Sequence, residues 1–241
     1  MTIEESPGDF GLFVTPARYL MRGAGVASLA TLEPGSGNPY VSMITVATET
    51  GGSPLFLISK LALHTRNIEA DPRASILFTM SGESPDPLAL GRVSAMGVAE
   101  RVDGEFSRTR FLARHPEAAV YAGFADFSLW RLRVEKAHYV GGFGKIRTLA
   151  GDSLIRRGDA IQTWDAEINR ILTNYNQHNG SGLARLAARD GDWRLSACDP
   201  EGCELVCGGQ AIRVAFPEPV EDVNAIPEIL MRLAAGAITP D

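Results

Sequence analysis

The stretch Pro54–Met80, PLFLISKLALHTRNIEADPRASILFTM, contains the pattern from which we predict the fold. Its first apolar run ends at Ser59-Lys60, and a polar helical turn follows. After the break at Pro72, a second apolar run extends from Ala74 to Met80. The pattern predicts two buried strands joined by a short helix, with polar and cationic side chains gathered where the first strand meets the helix.

The polar turn contains residue types that suit an anion. Backbone N–H groups at a helix start, next to cationic side chains, bind phosphate and other small anions. The same residue types also act as helix caps and solvated surface in many strand–helix–strand crossings, so the residues alone leave both interpretations open. The candidates are Ser59, Lys60, His64, Thr65, Arg66 and Asn67.

The composition restricts the class of protein. A chain of 241 residues can form one large domain or two modest ones, and its 45% hydrophobic and 22% charged residues are ordinary for a globular protein. The net charge of −6 disfavours general binding to nucleic acid or to anionic membranes. The sequence shows neither a signal-peptide pattern nor a transmembrane run, so we expect a cytoplasmic protein.

Further elements flank the central stretch. We expect a loose N-terminal segment, a short helix over Pro16–Arg22, and strands over Ala24–Leu32, Tyr40–Thr48 and Gly91–Val102. Neither face of Tyr40–Thr48 is cleanly polar, which is typical of a strand that is covered on both sides.

The stretch Phe124–Gly144, FADFSLWRLRVEKAHYVGGFG, is the second informative one. An aromatic cluster leads into an alternating strand, which ends at Gly141-Gly142-Phe143-Gly144. Adjacent glycines on a strand allow close approach by a backbone or a flat ligand. A linker is predicted within 151–158, and the helix–strands–helix pattern beyond it predicts a separate α+β module.

Histidine and cysteine spacing predicts no metal site. No two of the four histidines have the spacing of metal ligands, and His64 is the only one that we place in a candidate site. The three cysteines, at positions 198, 203 and 207, lack the paired C-x-x-C spacing of a zinc site, so we expect them to be reduced and structural.

These motifs resemble the split β-barrel family that binds flavin mononucleotide (FMN) and includes pyridoxamine 5'-phosphate oxidase. They are most similar to its haem-utilisation (HugZ-like) branch, in which His-Thr-Arg-Asn, Asp-Pro-Arg, Trp-Arg-Leu and Gly-Gly-Phe-Gly recur in that order. The resemblance implies an α+β chain, with a split β-barrel over residues 1–150 and a small C-terminal α+β domain over 151–241. It also implies a homodimer whose cofactor lies at the subunit interface.

The same resemblance implies a set of cofactor-binding residues. One group would hold the flavin phosphate and ribityl chain, a second would contact the ring, and a third would lie next to the cofactor. These residues are Ser59, Lys60, His64, Thr65, Arg66 and Asn67; Ser42, Met43 and Thr45; and Trp130, Arg131 and Phe143.

The C-terminal module differs from the family pattern in one short segment of sequence. The family signature there is His-x-Asn-x-Asp-His-x-Asp followed by leucine, whereas this chain has NYNQHNGSGL over 174–183. Both family histidines fall on asparagines, at Asn174 and Asn179. We therefore expect no acid–base, metal or haem chemistry from this run.

Three functions follow from the resemblance. The first is an FMN-dependent oxidoreductase, in which the flavin performs the electron chemistry and the protein holds and shields it. The second is haem binding or degradation, in which His64 or His178 would have to supply the axial ligand. The third is a split barrel without a cofactor that acts as a regulatory or partner-binding scaffold. The substrate is not predicted.

Overall fold

The computed structural model describes residues 10–79, 86–142 and 144–237, which form two compact units. The first, the barrel unit, runs up to Phe111 and continues over Ala118–Arg156. The second, the C-terminal unit, contains Leu112–Glu117 and the chain from Arg157 onward. The division at Arg156 and Arg157 falls inside the stretch 151–158 in which a linker was predicted.

The described part of the barrel unit contains seven antiparallel strands. The sheet order is β3-β2-β1-β4-β5-β6-β7, and an additional pairing of β3 with β6 closes six of the strands into a barrel. The predicted α+β split-barrel fold is therefore confirmed. The strands are β1 (Val26–Leu32), β2 (Pro39–Thr48), β3 (Pro54–Ser59), β4 (Arg73–Thr79), β5 (Arg92–Arg101), β6 (Phe127–Val140) and β7 (Ile146–Ala150).

The alternation of side chains along each strand explains which residues form the barrel core. In β4 the buried residues are Ala74, Ile76 and Phe78, and in β1 they are Ala27, Leu29 and Thr31, at every second position. β3 is different, because all its residues from Pro54 to Ile58 are buried. The apolar run at the centre of the sequence thus forms a strand that is covered on both faces.

Helices cover the barrel and its ends. The described helices are α1 (Thr15–Gly23), α2 (Leu63–Ala70), α3 (Glu105–Arg114) and α4 (Gly151–Leu154). A π-helical turn, Phe10–Val14, precedes α1, so the loose segment expected before Pro16 is helical from residue 10 onward. α4 and Ile155 also differ from the expected linker, because Leu154 and Ile155 are buried in the barrel core.

The C-terminal unit is a small α+β module, as the sequence pattern predicts. The single helix expected before the strands is two helices that meet at Asn179. A three-stranded antiparallel sheet of order β10-β9-β8 follows. The elements are α5 (Asp159–His178), α6 (Gly180–Leu186), β8 (Arg194–Asp199), β9 (Gly202–Cys207), β10 (Gln210–Ala215) and α7 (Ile226–Ala234).

Buried polar groups in this unit are paired. Arg213 donates to both carboxylate oxygens of Asp199 at 2.9 and 3.0 Å, and both side chains are buried. Arg114 lies 3.2 Å from the buried carboxylate of Glu204. Cys203 is free, and burial raises the pKa of its thiol to about 12, so the thiol is inert at neutral pH. These groups have structural roles.

None of the helices in the described part of the chain is long and apolar enough to cross a membrane.

A bulge in the β5–β6 pairing requires glycine at position 97. The register shifts between Met96 and Gly97, and a Cβ at Gly97 would lie 2.0 Å from the backbone oxygen of Arg133. We expect Gly97→Ala to lower the free energy of unfolding by about 2 kcal/mol or more, because the two paired strands must separate. Urea unfolding measures this. Gly123→Ala is the control, because no atom lies within 4 Å of its added Cβ; equal stability of the two variants would contradict the prediction.

Candidate functional site

Ser59 fixes the turn that leads from β3 into α2. Its hydroxyl accepts a hydrogen bond from the backbone N–H of Leu61 at 3.1 Å, and its carbonyl accepts from the Ala62 N–H at 3.0 Å. The Thr65 hydroxyl donates to the same carbonyl at 2.6 Å. We call residues 59–67, together with the contacting side chains of Ser42 and Asp126, the α2 corner.

Two of the predicted cofactor-binding side chains face the protein interior. Thr65 and Asn67 are buried, and the Asn67 amide donates to the Thr31 hydroxyl of β1 at 2.9 Å. These contacts hold α2 against the end of the barrel. In this conformation neither side chain is exposed to a ligand in solution.

His64 is positioned by Ser42. Its Nδ1 lies 2.9 Å from the Ser42 hydroxyl of β2, and its side chain is half-buried. Burial lowers the pKa of His64 below its ordinary value of 6.5, because an imidazolium loses hydration there. His64 is therefore mainly neutral at pH 7.

Asp126 completes the corner, and it was not among the predicted site residues. The Ser59 hydroxyl donates to the Asp126 carboxylate at 2.6 Å, and the Lys60 N–H donates to the Asp126 carbonyl at 2.7 Å. Asp126 precedes β6, where Phe127 pairs with Ser59 of β3. Its place could be inferred only by knowing that β3 and β6 pair.

The outer surface of the corner is cationic and apolar. The side chains of Lys60 and Arg66 are exposed, and Arg66 donates to the Leu61 carbonyl at 2.8 Å. Leu61 is 68% exposed, and Leu63 is also exposed. An anionic ligand with an apolar body would find both kinds of contact here.

The predicted ring-contacting residues of β2 lie on two faces. Ser42 faces α2, whereas Met43 and Thr45 lie on the opposite, outer face because strand side chains alternate. Met43 is 79% exposed. The structure therefore brings Ser42, but not Met43 or Thr45, to His64.

The predicted residues of β6 are placed apart from the α2 corner. Trp130 is 4% exposed, packs in the barrel core and pairs with Phe56. Arg131 forms ion pairs with Glu100 at 3.1 Å and Glu49 at 3.4 Å. Phe143 lies outside the described residues.

The other three histidines have different surroundings. His115 is buried with its Nδ1 3.4 Å from Glu117, and His138 faces Thr148 on the exposed side of the β6–β7 pair. His178 is exposed, and its Nδ1 contacts the Asn174 carbonyl at 2.8 Å. Asn174 and Asn179, at the family's histidine positions, line a cavity of about 260 Å³ in the C-terminal unit.

Comparison with known protein families identifies the family to which the barrel unit belongs. The sequence profile of the family described as "CREG, beta-barrel" matches residues 13–154, which is more than half of the chain. The chain belongs to the CREG β-barrel family. The match covers every strand of the barrel unit, together with α1 to α4.

Two relatives of this CREG β-barrel protein are named heme oxygenases. HutZ of Vibrio cholerae is 31% identical over 134 residues, which cover 53% of this chain and 75% of HutZ. The chloroplastic heme oxygenase HOZ of Arabidopsis thaliana is 30% identical over 130 residues, 54% of this chain. The matched residues span only 40% of the Arabidopsis protein.

Two solved structures resemble this CREG β-barrel protein along nearly its whole length. A protein of unknown function from Agrobacterium tumefaciens is 29% identical with a TM-score of 0.80, covering 97% of this chain and 100% of that one. A heme binding protein from Mycobacterium smegmatis is 26% identical with a TM-score of 0.55, covering 98% and 99%.

The lowered pKa of His64 has a measurable consequence. Because the folded protein resists protonation of this ring, the unfolded chain takes up the proton first as the pH falls below 6.5. The free energy of unfolding therefore decreases as the pH falls through that range, and His64→Gln should remove part of the decrease. An NMR titration of the His64 ring should give a midpoint below 6.5; a midpoint at or above that value would contradict the prediction.

Proposed function

We propose that this protein binds haem at the α2 corner and degrades it, with His64 as the ligand of the haem iron. The observation that carries the proposal is the Ser42–His64 contact, which leaves a neutral, half-buried imidazole in a fixed orientation. The FMN-dependent reaction, which the sequence placed first, becomes the alternative.

The hydrogen bond to Ser42 suits a metal-binding histidine. In the tautomer in which Nδ1 donates to the Ser42 hydroxyl, Nε2 is unprotonated and its lone pair is free to bind iron. Metal-ligating histidines usually donate their other ring N–H to such a partner, which fixes the ring and raises its basicity. His178 is less suitable, because it is exposed and contacts only the carbonyl of its own helix among the described groups.

The surroundings of His64 also suit haem. Lys60 and Arg66 are exposed cations that can pair with the two propionate groups of haem, and Leu61 and Leu63 offer apolar surface to the macrocycle. When bound, haem supplies the redox chemistry of its iron, and it is also the substrate of the proposed degradation. The protein holds the ring of His64, binds the propionates and covers part of the porphyrin.

The relatives support this choice of ligand. HutZ is named a heme oxygenase, and its identity to this chain covers most of its length. The similar protein of Mycobacterium smegmatis is described as heme binding, and its similarity extends through the C-terminal unit.

FMN at the same corner is the second candidate. The observation that favours it is the pair of exposed cations, Lys60 and Arg66, at the start of α2. The scaffold function would be favoured by a protein that dimerises and binds neither haem nor FMN.

We also propose that the protein is a homodimer. β1 and β2 present apolar side chains on the outer face of the barrel: Val26 pairs with Thr45, and Ser28 pairs with Met43. Val26, Val41 and Met43 are each more than half exposed. Large exposed apolar side chains grouped on one face mark an interaction surface, and a second copy of the chain would cover them.

Haem titration tests the ligand. We expect wild-type protein to bind haem with a shifted Soret band, and His64→Ala to weaken binding by at least about tenfold, as loss of a metal ligand or its support does. His178→Ala is the matched control and should bind like wild type. Loss of the spectral shift in His178→Ala but not in His64→Ala would contradict the assignment.

Degradation is measured on the same complex. With ascorbate and air, the Soret band of the wild-type complex should disappear and a ferrous chelator should detect released iron. A complex that binds haem but keeps its Soret band would leave a haem-binding protein without the proposed activity.

Introducing a charge on the outer face of β2 tests whether the protein dimerises through that face. We expect Met43→Glu to convert the dimer into a monomer, because burying a carboxylate in an apolar interface is costly. Size-exclusion chromatography with light scattering measures the mass. Val120→Glu is the matched control, since Val120 is 78% exposed and lies outside this face. A wild-type monomer, or a Met43→Glu dimer, would overturn the proposal.

A further inference from the structure

We infer that Asp126 determines the ligand specificity of the α2 corner, because its carboxylate excludes phosphate-bearing cofactors such as FMN. The inference deepens the proposed function, in that it explains why a corner resembling a phosphate site would accept haem. It rests on the contact between Asp126 and Ser59 and on the hydrogen bonds around that contact.

Four hydrogen-bond donors near Ser59 that could hold a phosphate are already used within the protein. The single hydroxyl proton of Ser59 is donated to Asp126, and that of Thr65 is donated to the Ser59 carbonyl. The Asn67 amide donates to Thr31 and is buried. The backbone N–H of Lys60 is also occupied, by the Asp126 carbonyl. A phosphate at Ser59 would have to displace these contacts.

The charge of Asp126 opposes a phosphate directly. The phosphate monoester of FMN carries nearly two negative charges at pH 7. One of the Asp126 oxygens lies 2.6 Å from the hydroxyl at which that phosphate was expected. A phosphate oxygen hydrogen-bonded to that hydroxyl would lie within about 6 Å of the carboxylate, and like charges that close repel each other near a protein surface.

The position of Asp126 is fixed by the barrel. Ser59 pairs with Phe127, and Ile58 with Ser128, so the residue before β6 must lie against the end of β3. The backbone of Asp126 therefore cannot move away from Ser59 without disturbing the β3–β6 pairing. A haem propionate has a single charge and can approach Lys60 or Arg66 on the outer surface, away from Ser59.

A comparison of FMN with riboflavin tests the inference, because the two ligands differ only in the phosphate. Binding to the full-length protein is measured by quenching of flavin fluorescence. We expect wild type to bind FMN no more tightly than riboflavin. Asp126→Asn keeps the shape and an acceptor for Ser59 but removes the charge, and it should lower the dissociation constant for FMN by about tenfold, equal to about 1.4 kcal/mol, with riboflavin unchanged.

Two further variants complete the experiment. Ser59→Ala, which keeps the Asp126 charge, should not gain FMN binding, and neither should Glu33→Gln, which makes the same change in net charge at the β1–β2 turn. The inference is overturned if wild type already prefers FMN to riboflavin or if Asp126→Asn leaves FMN binding unchanged. Because haem is absent from these titrations, failure to bind haem would overturn only the proposed function.

Discussion

The pairing of β3 with β6 is the constraint on which the candidate site depends. β6 pairs with β5 along most of its length, and its first residues also pair with β3, which closes the barrel. Ser59 and Asp126 are 67 positions apart in the sequence, and only this closure brings them into contact. The turn into α2 begins at Ser59, and β3 also pairs with β2, so the two pairings of β3 together set where His64 lies relative to Ser42.

The α2 corner separates structural from ligand-accessible groups. Thr65 and Asn67 are buried and hold the helix against the barrel, while the Ser59 hydroxyl is engaged by Asp126. The groups that remain accessible are a neutral imidazole, two cations and two leucines. We infer that a large planar ligand with carboxylate groups suits this set better than a doubly charged phosphate placed next to Asp126. The haem proposal and the role of Asp126 thus follow from the same hydrogen bonds.

Much of the fold could be predicted from the sequence, because strand and helix periodicity depend on neighbouring residues. The apolar run Pro54–Ile58, the short helix α1 and the helix–strands–helix order of the C-terminal unit are of this kind. The barrel closure is not, since it pairs strands that are distant in the chain. β7 was not predicted, and α4 lies in the stretch 151–158 in which a linker was predicted. Leu149, Leu154 and Ile155 of this region pack in the barrel core.

The site was harder to predict, for a physical reason. Threonine and asparagine at a helix start have the same sequence pattern whether they bind an anion or their own backbone, and here Thr65 does the latter. The alternation of β2 identified two faces, but which face meets α2 depends on barrel curvature. Asp126 lay within a stretch noted for its aromatic residues, and its partner could be recognised only from the strand register.

The most direct test of the central claim is an NMR titration of protein carrying ¹⁵N-histidine with zinc protoporphyrin, a diamagnetic haem analogue. If the imidazole held by Ser42 binds the metal, the His64 ring signals should undergo large ring-current shifts, while those of His138 and His178 stay nearly unchanged. Porphyrin binding that shifts another histidine and leaves His64 unaffected would contradict the account.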